Sequence, residues 1–329
     1  LGFAVTRHCN LRCPHCIRDD VVTVGELSAA LIGRITGEAQ ALFGEVKVSL
    51  TGGEPLIHRD FSGIVAALRE RGVPWTIVTN GWHIARALPV LESHPPAAVR
   101  LSLSGANEAV HDAERGDGSF RRVLIAAAIL TSRRIPFSLG ILIDRRDRSD
   151  LREAADLAES LGAMSLQVLF AQPVPASAAR GSDLAPRDWQ QVVREVRALS
   201  LESHRRTAVS LDFGAPPFPG EAPLTCDTFT HRRIYVNHNG ELCLCCQLSE
   251  YGEIPTDIVA DLNAVPLAIA YGAYTRQLAE LRRAAEPEAG DVLAEFPCLR
   301  CARTSGKLDW LARFPESPWH DAPGVPAHA

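Results

Sequence analysis

Short apolar runs alternate with amphipathic segments along most of the chain. The apolar runs predict six strands, at residues 3–5, 46–50, 75–78, 99–103, 137–143 and 165–170. Apolar residues at helical spacing predict helices between them, at residues 27–43, 61–70, 84–91, 120–131 and 150–161. Strands that alternate with helices in this way indicate an α/β fold with a parallel sheet. An open doubly wound sheet and an incomplete barrel both fit the pattern.

The pattern changes after a further predicted helix at 188–201 and a strand at 208–213. A proline-rich run at 215–220 breaks every regular period and is interpreted as a domain boundary. The chain is therefore divided into a first domain over 1–213, a second over 214–310, and an irregular, proline-containing tail over 311–329.

A β-hairpin is predicted in the second domain. Residues 234–237 and 241–245 form its strands, and Asn239-Gly240 form its turn. Side chains alternate between the two faces of a strand. Cys243 and Cys245 are therefore predicted to share one face, with Cys246 on the other.

Composition is that of an ordinary globular chain, with 46% hydrophobic and 22% charged residues among 329. The net charge is −5 and no basic stripe is interleaved with aromatic residues, which argues against a nucleic acid partner. No apolar run approaches eighteen residues and no signal peptide precedes the first strand, so we expect a cytoplasmic protein without a membrane partner. Because the sequence opens on Leu1 without Met, we also expect a preceding segment.

Three cysteines, Cys9, Cys13 and Cys16, lie within eight residues directly after the first predicted strand. A disulfide framework favours an even cysteine count in a secreted chain, and a zinc site needs a fourth ligand nearby. Three thiols without a fourth ligand favour an iron-sulfur cluster with one iron left open. Half of a zinc site, or buried apolar cysteines in a small loop, are the alternatives.

The spacing C-x3-C-x2-C after a first strand resembles the radical S-adenosylmethionine (SAM) superfamily. Further stretches carry the resemblance in order: Thr51-Gly52-Gly53-Glu54-Pro55, Thr79-Asn80-Gly81 and Leu101-Ser102-Leu103-Ser104-Gly105. The resemblance implies a partial six-stranded (β/α)6 barrel and so favours the incomplete barrel over the open doubly wound sheet. It also implies a four-iron four-sulfur cluster on Cys9, Cys13 and Cys16, whose open iron binds SAM.

The resemblance further assigns cofactor-binding roles at the ends of the strands. Gly52, Gly53 and Glu54 would bind the SAM amino group. Ser102 and Ser104 would contact its ribose or carboxylate, with Ser104 where relatives often have Asp. The remaining residues assigned to the cofactor are Thr79 and Asn80, which would lie near it, and His15 and Ile141, which would lie near the adenine.

The later cysteines resemble the SPASM domain, or its shortened single-cluster relative, the twitch domain. Cys226, Gly240 and Cys245 fit the opening of that pattern, and Cys298-Leu299-Arg300-Cys301 supply a closing pair. The resemblance implies one auxiliary 4Fe-4S cluster held by Cys226, Cys245, Cys298 and Cys301. Zinc in the same thiolates is the alternative, and whether Cys243 replaces Cys245 as a ligand stays open.

The resemblance implies that the enzyme generates a 5′-deoxyadenosyl radical, which takes a hydrogen atom from a substrate carbon. A flavodoxin- or ferredoxin-type protein would supply the electron. We expect a ribosomally made precursor peptide as substrate, with an oxidative crosslink or an epimerisation as the reaction. Cys246 is the candidate catalytic hydrogen-atom donor for an epimerisation. An aminocyclitol or aminoglycoside dehydrogenase or epimerase, and a zinc-stabilised binding module without activity, are the alternatives.

Overall fold

The structure is a computed structural model that describes residues 1–18, 25–145, 151–212, 216, 226–251, 256–287 and 291–320. Apart from Pro216, the predicted boundary at 213–214 and the proline-rich run at 215–220 lie outside the described residues. Residues 321–329 of the predicted tail also lie outside them. None of the described helices has the length and hydrophobicity needed to cross a membrane.

The first part of the chain alternates strands and helices as predicted. Its strands are β1 (Gly2–Thr6), β2 (Val48–Gly52), β3 (Trp75–Thr79), β4 (Ala98–Leu103), β5 (Phe137–Leu142), β6 (Ser165–Leu169) and β7 (Ala208–Leu211). Its helices are α1 (Ala29–Phe43), α2 (Phe61–Glu70), α3 (Ile84–Ser93), α4 (Glu108–Arg115), α5 (Ser119–Ser132), α6 (Leu151–Ser160), α7 (Pro175–Ala179) and α8 (Pro186–Ser200).

The order of the strands decides between the two predicted sheet types. Strands β1 to β7 lie side by side in sequence order, and each pairs with the next in parallel. A doubly wound sheet would reverse its strand order at a switch point. Because crossovers share one handedness, an order without reversal places the connecting helices on one side of the sheet. The partial-barrel prediction is confirmed.

The second part of the chain extends the same sheet. Its elements are β8 (Tyr235–Val236), β9 (Glu241–Cys243), α9 (Cys246–Glu250), β10 (Ile258–Asp261), α10 (Leu267–Ala284) and α11 (Pro297–Thr304). Strands β8 and β9 form the predicted hairpin, β10 adds to β9, and β8 pairs in parallel with β1. One ten-stranded sheet therefore runs through both parts of the chain.

The predicted second strand of the hairpin is too long by two residues. It ends at Cys243, Cys245 caps the next helix, and Cys246 begins α9. The Cys245 Sγ accepts a hydrogen bond from the Gln247 amide at 3.4 Å, which is a helix-capping contact rather than strand pairing. Because Cys245 and Cys246 are not strand residues, the predicted face assignment of the two thiols is wrong.

The two faces of the parallel sheet differ in character. On β4, Val99, Leu101 and Leu103 are fully buried in the main apolar core, whereas Arg100 and Ser102 between them are half-buried. Side chains alternate along a strand, so the polar residues project from the opposite, concave face. The apolar face packs against helices, and the concave face is left for chemistry.

Five of the described helices were not predicted: α4, α7, α9, α10 and α11. Helix α4 lies in a stretch assigned to a loop, and α10 and α11 lie among the later cysteines. The sequence of α10 nevertheless carries a helical signal, since Leu267, Ala270, Tyr274, Leu278 and Leu281 are its buried residues at spacings of three and four.

The described part of the tail is irregular but packed. Trp319 is 1% exposed, and its ring lies 5.0 Å from that of Phe296 and 6.1 Å from that of Phe170. A buried tryptophan with two ring neighbours contributes a large apolar contact area. Residues 311–320 of the predicted tail therefore pack against the core.

A buried ion pair fastens the segment after α11 to the second part of the sheet. The Lys307 Nζ lies 2.7 Å from Asp257 Oδ1 and donates to the Leu248 carbonyl at 2.5 Å. The two side chains are 1% and 3% exposed. Neither charge reaches water, so each depends on the other.

We expect Lys307→Ala to lower the free energy of unfolding by about 3–5 kcal/mol, because the Asp257 carboxylate stays buried without its partner. Denaturant unfolding monitored by circular dichroism measures the change. The exposed Lys47 is the matched control, and Lys47→Ala should change stability by less than about 0.5 kcal/mol. Lys307→Met combined with Asp257→Leu should recover much of the loss. Equal midpoints for the two alanine variants would contradict the expectation.

Candidate functional site

The loop that carries Cys9, Cys13 and Cys16, here called the N-terminal cysteine loop, is fixed by backbone contacts with the end of β2. The Gly53 amide donates to the Thr6 carbonyl and the Glu54 amide donates to the His8 carbonyl, both at 2.7 Å. A Cβ on Gly53 would lie 1.7 Å from the His8 oxygen. Only glycine permits this approach, so the Gly-Gly sequence positions the loop.

Glu54 links the carboxyl ends of β2 and β3. Its carboxylate is 1% exposed and accepts from the Thr79 hydroxyl at 2.6 Å, the Asn80 amide at 2.8 Å and the Leu56 amide at 3.1 Å. Burial raises the pKa of Glu54, and these hydrogen bonds oppose the rise. Glu54, Thr79 and Asn80 were all predicted at the site, and the structure brings them together.

Asn80 connects this cluster to the cysteines. Its Nδ2 donates to Asn10 Oδ1 at 2.9 Å and lies 4.0 Å from Cys9 Sγ. The Cys9 Sγ also accepts from the Leu11 amide at 3.4 Å. Amide donors around a thiolate stabilise its charge and are typical surroundings of a metal-bound cysteine. The first cysteine is thus held at the ends of β1 and β3.

The three thiols of the N-terminal cysteine loop are half-buried and interact with one another. Burial raises the pKa of Cys9 and of Cys13, and the neighbouring Cys16 raises both further. The Arg115 guanidinium opposes this rise at Cys13. Thiols that raise one another's pKa become thiolates together when a cationic metal group binds them. The donor set therefore suits an iron-sulfur cluster.

Helix α4 supplies a second layer of contacts behind the cysteine loop. His15 Nδ1 lies 3.2 Å from Glu114 Oε2, and the Arg180 guanidinium lies 3.1 Å from the other oxygen of the same carboxylate. Burial lowers the pKa of His15 and the hydrogen bond to Glu114 opposes this. The predicted adenine-side residue is therefore oriented by Glu114, which sequence reasoning missed because α4 was assigned to a loop.

Ser104 is fixed by two residues of α4. Its Oγ accepts from Arg115 Nε at 2.7 Å, and its amide donates to His111 Nδ1 at 3.2 Å. His111 is fully buried, and burial, followed by the charge of Arg115, lowers its pKa to about 3. The acceptor role of Nδ1 requires the neutral ring. The Ser104 hydroxyl keeps its proton for a further partner.

The predicted cofactor residues Ser102 on β4 and Ile141 on β5 lie on opposite faces of the sheet. Ser102 projects from the concave face, and Gly52 lies at the end of β2 with a φ of +129°. Ile141 is 0% exposed and belongs to the main apolar core. The residues predicted to bind the cofactor therefore lie near the carboxyl ends of the strands, but the side chain of Ile141 packs on the other face of the sheet.

A second group of thiols, here called the auxiliary thiol set, lies around Cys245. The charge of Cys245 raises the pKa of Cys226, Cys298 and Cys301, each of which burial raises first. All four are the predicted auxiliary ligands. They come from four places in the chain: the start of residues 226–251, the cap of α9, and two successive turns of α11.

Cys246 joins this set rather than facing away from it. A hydrogen bond from the Cys246 thiol lowers the pKa of Cys245 and raises that of Cys246 itself. The Arg233 side chain also hydrogen-bonds Cys246. Cys243, by contrast, is fully buried in a small apolar cluster with Ala4 and Tyr235. Cys246 packs against the edge of the same cluster.

The described side chains do not form a preassembled single-ion site. Among the described residues, no three His, Cys, Asp or Glu side chains are placed to hold one metal ion. The thiols within each set lie close enough to raise one another's pKa.

The part of the chain that carries the cysteine loop matches a known family. The sequence profile described as Radical SAM superfamily matches residues 3–158. These residues, which contain β1 to β5 and the N-terminal cysteine loop, are thus similar to a radical SAM superfamily domain.

Relatives extend the similarity beyond this domain. The chain is 29% identical over 226 residues to PqqA peptide cyclase of Ruegeria pomeroyi, covering 68% of this chain and 60% of that protein. It is 27% identical over 209 residues to AdoMet-dependent heme synthase of Methanosarcina barkeri, covering 62% of this chain and 59% of that protein. It is 37% identical over 131 residues to GTP 3′,8-cyclase of Cronobacter sakazakii, covering 38% of this chain and 40% of that protein. The chain thus spans less than two thirds of these relatives.

Solved structures show the same fold along nearly the whole chain. SuiB of Streptococcus suis, bound to precursor peptide SuiA, superposes with a TM-score of 0.70 at 15% identity, covering 99% of this chain and 75% of SuiB. The anSMEcpe structure with bound AdoMet superposes with a TM-score of 0.68 at 13% identity, covering 96% of this chain and 98% of anSMEcpe. At these identities the likeness concerns the fold alone.

We expect His111 to make stability depend on pH. The unfolded chain binds a proton at this ring below about pH 6.5, whereas the folded protein does so only near pH 3. Stability therefore falls as the pH drops through this window, by up to about 1.4 kcal/mol per pH unit. Denaturant unfolding between pH 7.5 and 4.5 measures this for the wild type and His111→Asn, whose amide oxygen can still accept from Ser104.

The stability advantage of the wild type over His111→Asn should narrow as the pH falls. His204→Asn is the control, because that side chain is 75% exposed. A difference between the wild type and His111→Asn that stays constant with pH would contradict the expectation.

Proposed function

We propose that this chain is a radical SAM enzyme that acts on a peptide. The observation that carries the proposal is the N-terminal cysteine loop, held by Gly53 against the carboxyl ends of parallel strands. Parallel α/β barrels use this edge of the sheet for chemistry. Residues 3–158, which match the superfamily profile, contain the whole of this arrangement.

The residues present fit the two groups that the superfamily uses. Cys9, Cys13 and Cys16 would hold a 4Fe-4S cluster, since they are half-buried thiols on one loop with amide donors beside Cys9. Three thiolates leave one iron open for SAM. When bound, the cluster and SAM together supply a 5′-deoxyadenosyl radical that removes a hydrogen atom from a substrate carbon.

The chain's own residues would bind and orient SAM from several strand ends. Backbone groups of Gly52 and Gly53 would face its amino group, with Glu54 beside them. Glu54 already accepts three hydrogen bonds, so its main part is to fix Thr79 and Asn80. Ser104, which accepts from Arg115 through one of its two lone pairs, would donate its hydroxyl proton to the ribose or carboxylate. His15 would lie against the adenine, held by Glu114.

A second cluster would occupy the auxiliary thiol set. Cys226, Cys245, Cys298 and Cys301 are the proposed ligands, with Cys246 as a fifth thiol beside them. Four thiolates also suit zinc. The radical SAM domain on the same sheet favours iron, because an auxiliary cluster can transfer an electron and zinc cannot.

A peptide is the substrate class that the relatives favour. PqqA peptide cyclase is named for a peptide, SuiB is bound to a precursor peptide, and anSMEcpe also occurs with a bound peptide. Modification of a ribosomally made precursor is therefore proposed over an aminocyclitol or aminoglycoside. A flavodoxin- or ferredoxin-type donor would supply the electron.

The contacts of Cys246 bear on the reaction type. Its hydrogen bonds with Cys245 and Arg233 hold it within the auxiliary thiol set. An auxiliary cluster that removes the second electron gives a product oxidised by two hydrogens, whereas a thiol donor gives an epimer of unchanged mass. These contacts favour the oxidative reaction, and the mass of the product distinguishes the two.

We expect Cys9→Ala, Cys13→Ala and Cys16→Ala each to abolish reductive SAM cleavage, because each removes one ligand of the proposed cluster. Formation of 5′-deoxyadenosine by the anaerobically reconstituted protein measures the activity. Cys243→Ala is the matched control, since this cysteine packs with Ala4 and Tyr235 as a small apolar side chain. Wild-type cleavage by any of the three variants would refute the assignment.

We also expect iron and sulfide in the purified protein to come from both thiol sets. Cys298→Ala should lower both contents by about half, because four of the eight proposed irons depend on the auxiliary ligands. Cys243→Ala should leave them unchanged. Zinc in place of iron, without sulfide, would exclude the enzyme and support a zinc-stabilised module.

A further inference from the structure

Asn80 connects the N-terminal cysteine loop to a tryptophan near the surface. Its Nδ2 lies 4.0 Å from Cys9 Sγ and donates to Asn10 Oδ1, while its Oδ1 accepts from the Trp82 amide at 3.0 Å. Gly81 has a φ of +82°, a left-handed conformation that turns the chain at the end of β3. Trp82 is half-buried. The protein surface therefore begins two residues from the side chain that approaches Cys9.

Two exposed arginines flank this tryptophan. The Arg122 guanidinium of α5 lies 5.1 Å from the centroid of the Trp82 ring, within the range of cation–π attraction. Arg86 of α3 is also exposed and donates to the Leu56 carbonyl at 2.7 Å. Trp82, His83, Arg86 and Arg122 are here called the Trp82 patch.

The positive charge of the Trp82 patch has no neighbouring carboxylate to balance it. Burial lowers the pKa of His83, and the charges of Arg86 and Arg122 lower it further, whereas the described residues contribute no carboxylate that raises it. Neither arginine forms an ion pair within the described part of the chain. Arg121 and Arg133, by contrast, lie 3.9 Å and 3.4 Å from glutamates. Two like charges without a counter-ion repel each other, and an acidic partner relieves this repulsion.

The Trp82 patch also differs in sign from the chain as a whole. The net charge is −5, so the average surface repels an acidic protein and a local concentration of positive charge attracts it. Tryptophan and arginine are moreover the residues that most often dominate the binding energy of protein–protein interfaces. Charge and composition together favour an acidic protein as the partner.

The position of the Trp82 patch selects the kind of acidic protein. A cluster on Cys9, Cys13 and Cys16 has to receive an electron from outside the chain. Because electron transfer between proteins requires a close approach of the two redox groups, the donor has to dock beside the N-terminal cysteine loop. The Trp82 patch fulfils this condition, since a single side chain, that of Asn80, joins it to Cys9.

We propose that the Trp82 patch docks the acidic face of the one-electron donor protein. The inference rests on the proposed function, because a cluster on the N-terminal cysteine loop is what the donor would reduce. Arg86 and Arg122 would pair with carboxylates of the donor, which would cover the Trp82 ring. The donor loses one electron and the cluster gains it, with no bond formed or broken.

Binding of oxidised donors tests the docking surface without any redox step. Labelled flavodoxin and labelled ferredoxin are the probes, and fluorescence anisotropy measures their binding to the full chain, reconstituted anaerobically with SAM. We expect at least one probe to bind the wild type, and to bind less tightly as salt is added. Arg86→Gln combined with Arg122→Gln should raise the dissociation constant about tenfold and reduce its salt dependence.

Arg121→Gln combined with Arg133→Gln is the matched control. It removes the same charge from two arginines that are also exposed but already have glutamate partners, so its dissociation constant should stay within about twofold of the wild type. Circular dichroism and iron content establish that both double variants are folded and loaded.

Reduction of the cluster provides a second measurement. Stopped-flow absorbance gives its rate with the reduced form of the donor that binds and, separately, with dithionite, a small reductant that needs no docking surface. The ratio of the two rates cancels any change in the cluster itself. We expect this ratio to fall about tenfold in Arg86→Gln/Arg122→Gln and to stay at the wild-type value in the control.

Several results would overturn the inference. These are wild-type binding of neither donor, equal weakening by the two double variants, or an unchanged ratio in Arg86→Gln/Arg122→Gln. An unchanged ratio together with weaker binding of hexaglutamate would make the patch a site for an acidic peptide instead. The proposed function fails separately: a wild type that binds the donor but never cleaves SAM with dithionite refutes the radical chemistry and leaves the docking surface in place.

Discussion

The contact between the end of β2 and the first residues of the cysteine loop is the constraint on which the site depends. Two backbone hydrogen bonds of 2.7 Å join Gly53 and Glu54 to Thr6 and His8. They require a residue without a side chain at position 53, where a Cβ would meet the His8 oxygen. Once this contact forms, the direction in which the three thiols leave β1 is set by the backbone rather than by any side chain.

Glu54 extends that constraint across the sheet. Its buried carboxylate accepts hydrogen bonds from the ends of β2 and β3, and its amide bonds the cysteine loop, so one residue links two strand ends and that loop. Helix α4 does the same for β4, because Arg115 and His111 hold Ser104, and Glu114 holds His15. The polar groups at the carboxyl edge are thus oriented by fixed neighbours before any ligand binds, which reduces the entropy lost on binding.

The sequence predicted the parts of the molecule that follow from local pattern. The alternation of apolar runs and amphipathic segments located β1 to β6, and the strand-end motifs located Glu54, Thr79 and Asn80. Helix α4 was not predicted because it has few apolar residues, and the role of Glu114 on that helix was therefore missed as well. The approach of Arg100 Cδ to Gly140 of β5 could not be predicted either, since it depends on the register of β4 and β5. The predicted orientation of Cys246 was wrong because the strand ends at Cys243 and helix α9 begins at Cys246.

Strand β1 has a neighbour on each side, and these neighbours come from distant parts of the chain. It pairs with β2 about forty residues on and with β8 at Tyr235–Val236. During synthesis one edge of β1 therefore stays unpaired until most of the protein has been made. Such long-range pairing slows folding, and an open edge can associate with other strands. The open edge of β1 can therefore associate with other strands until the ribosome has made β8, which ends at residue 236.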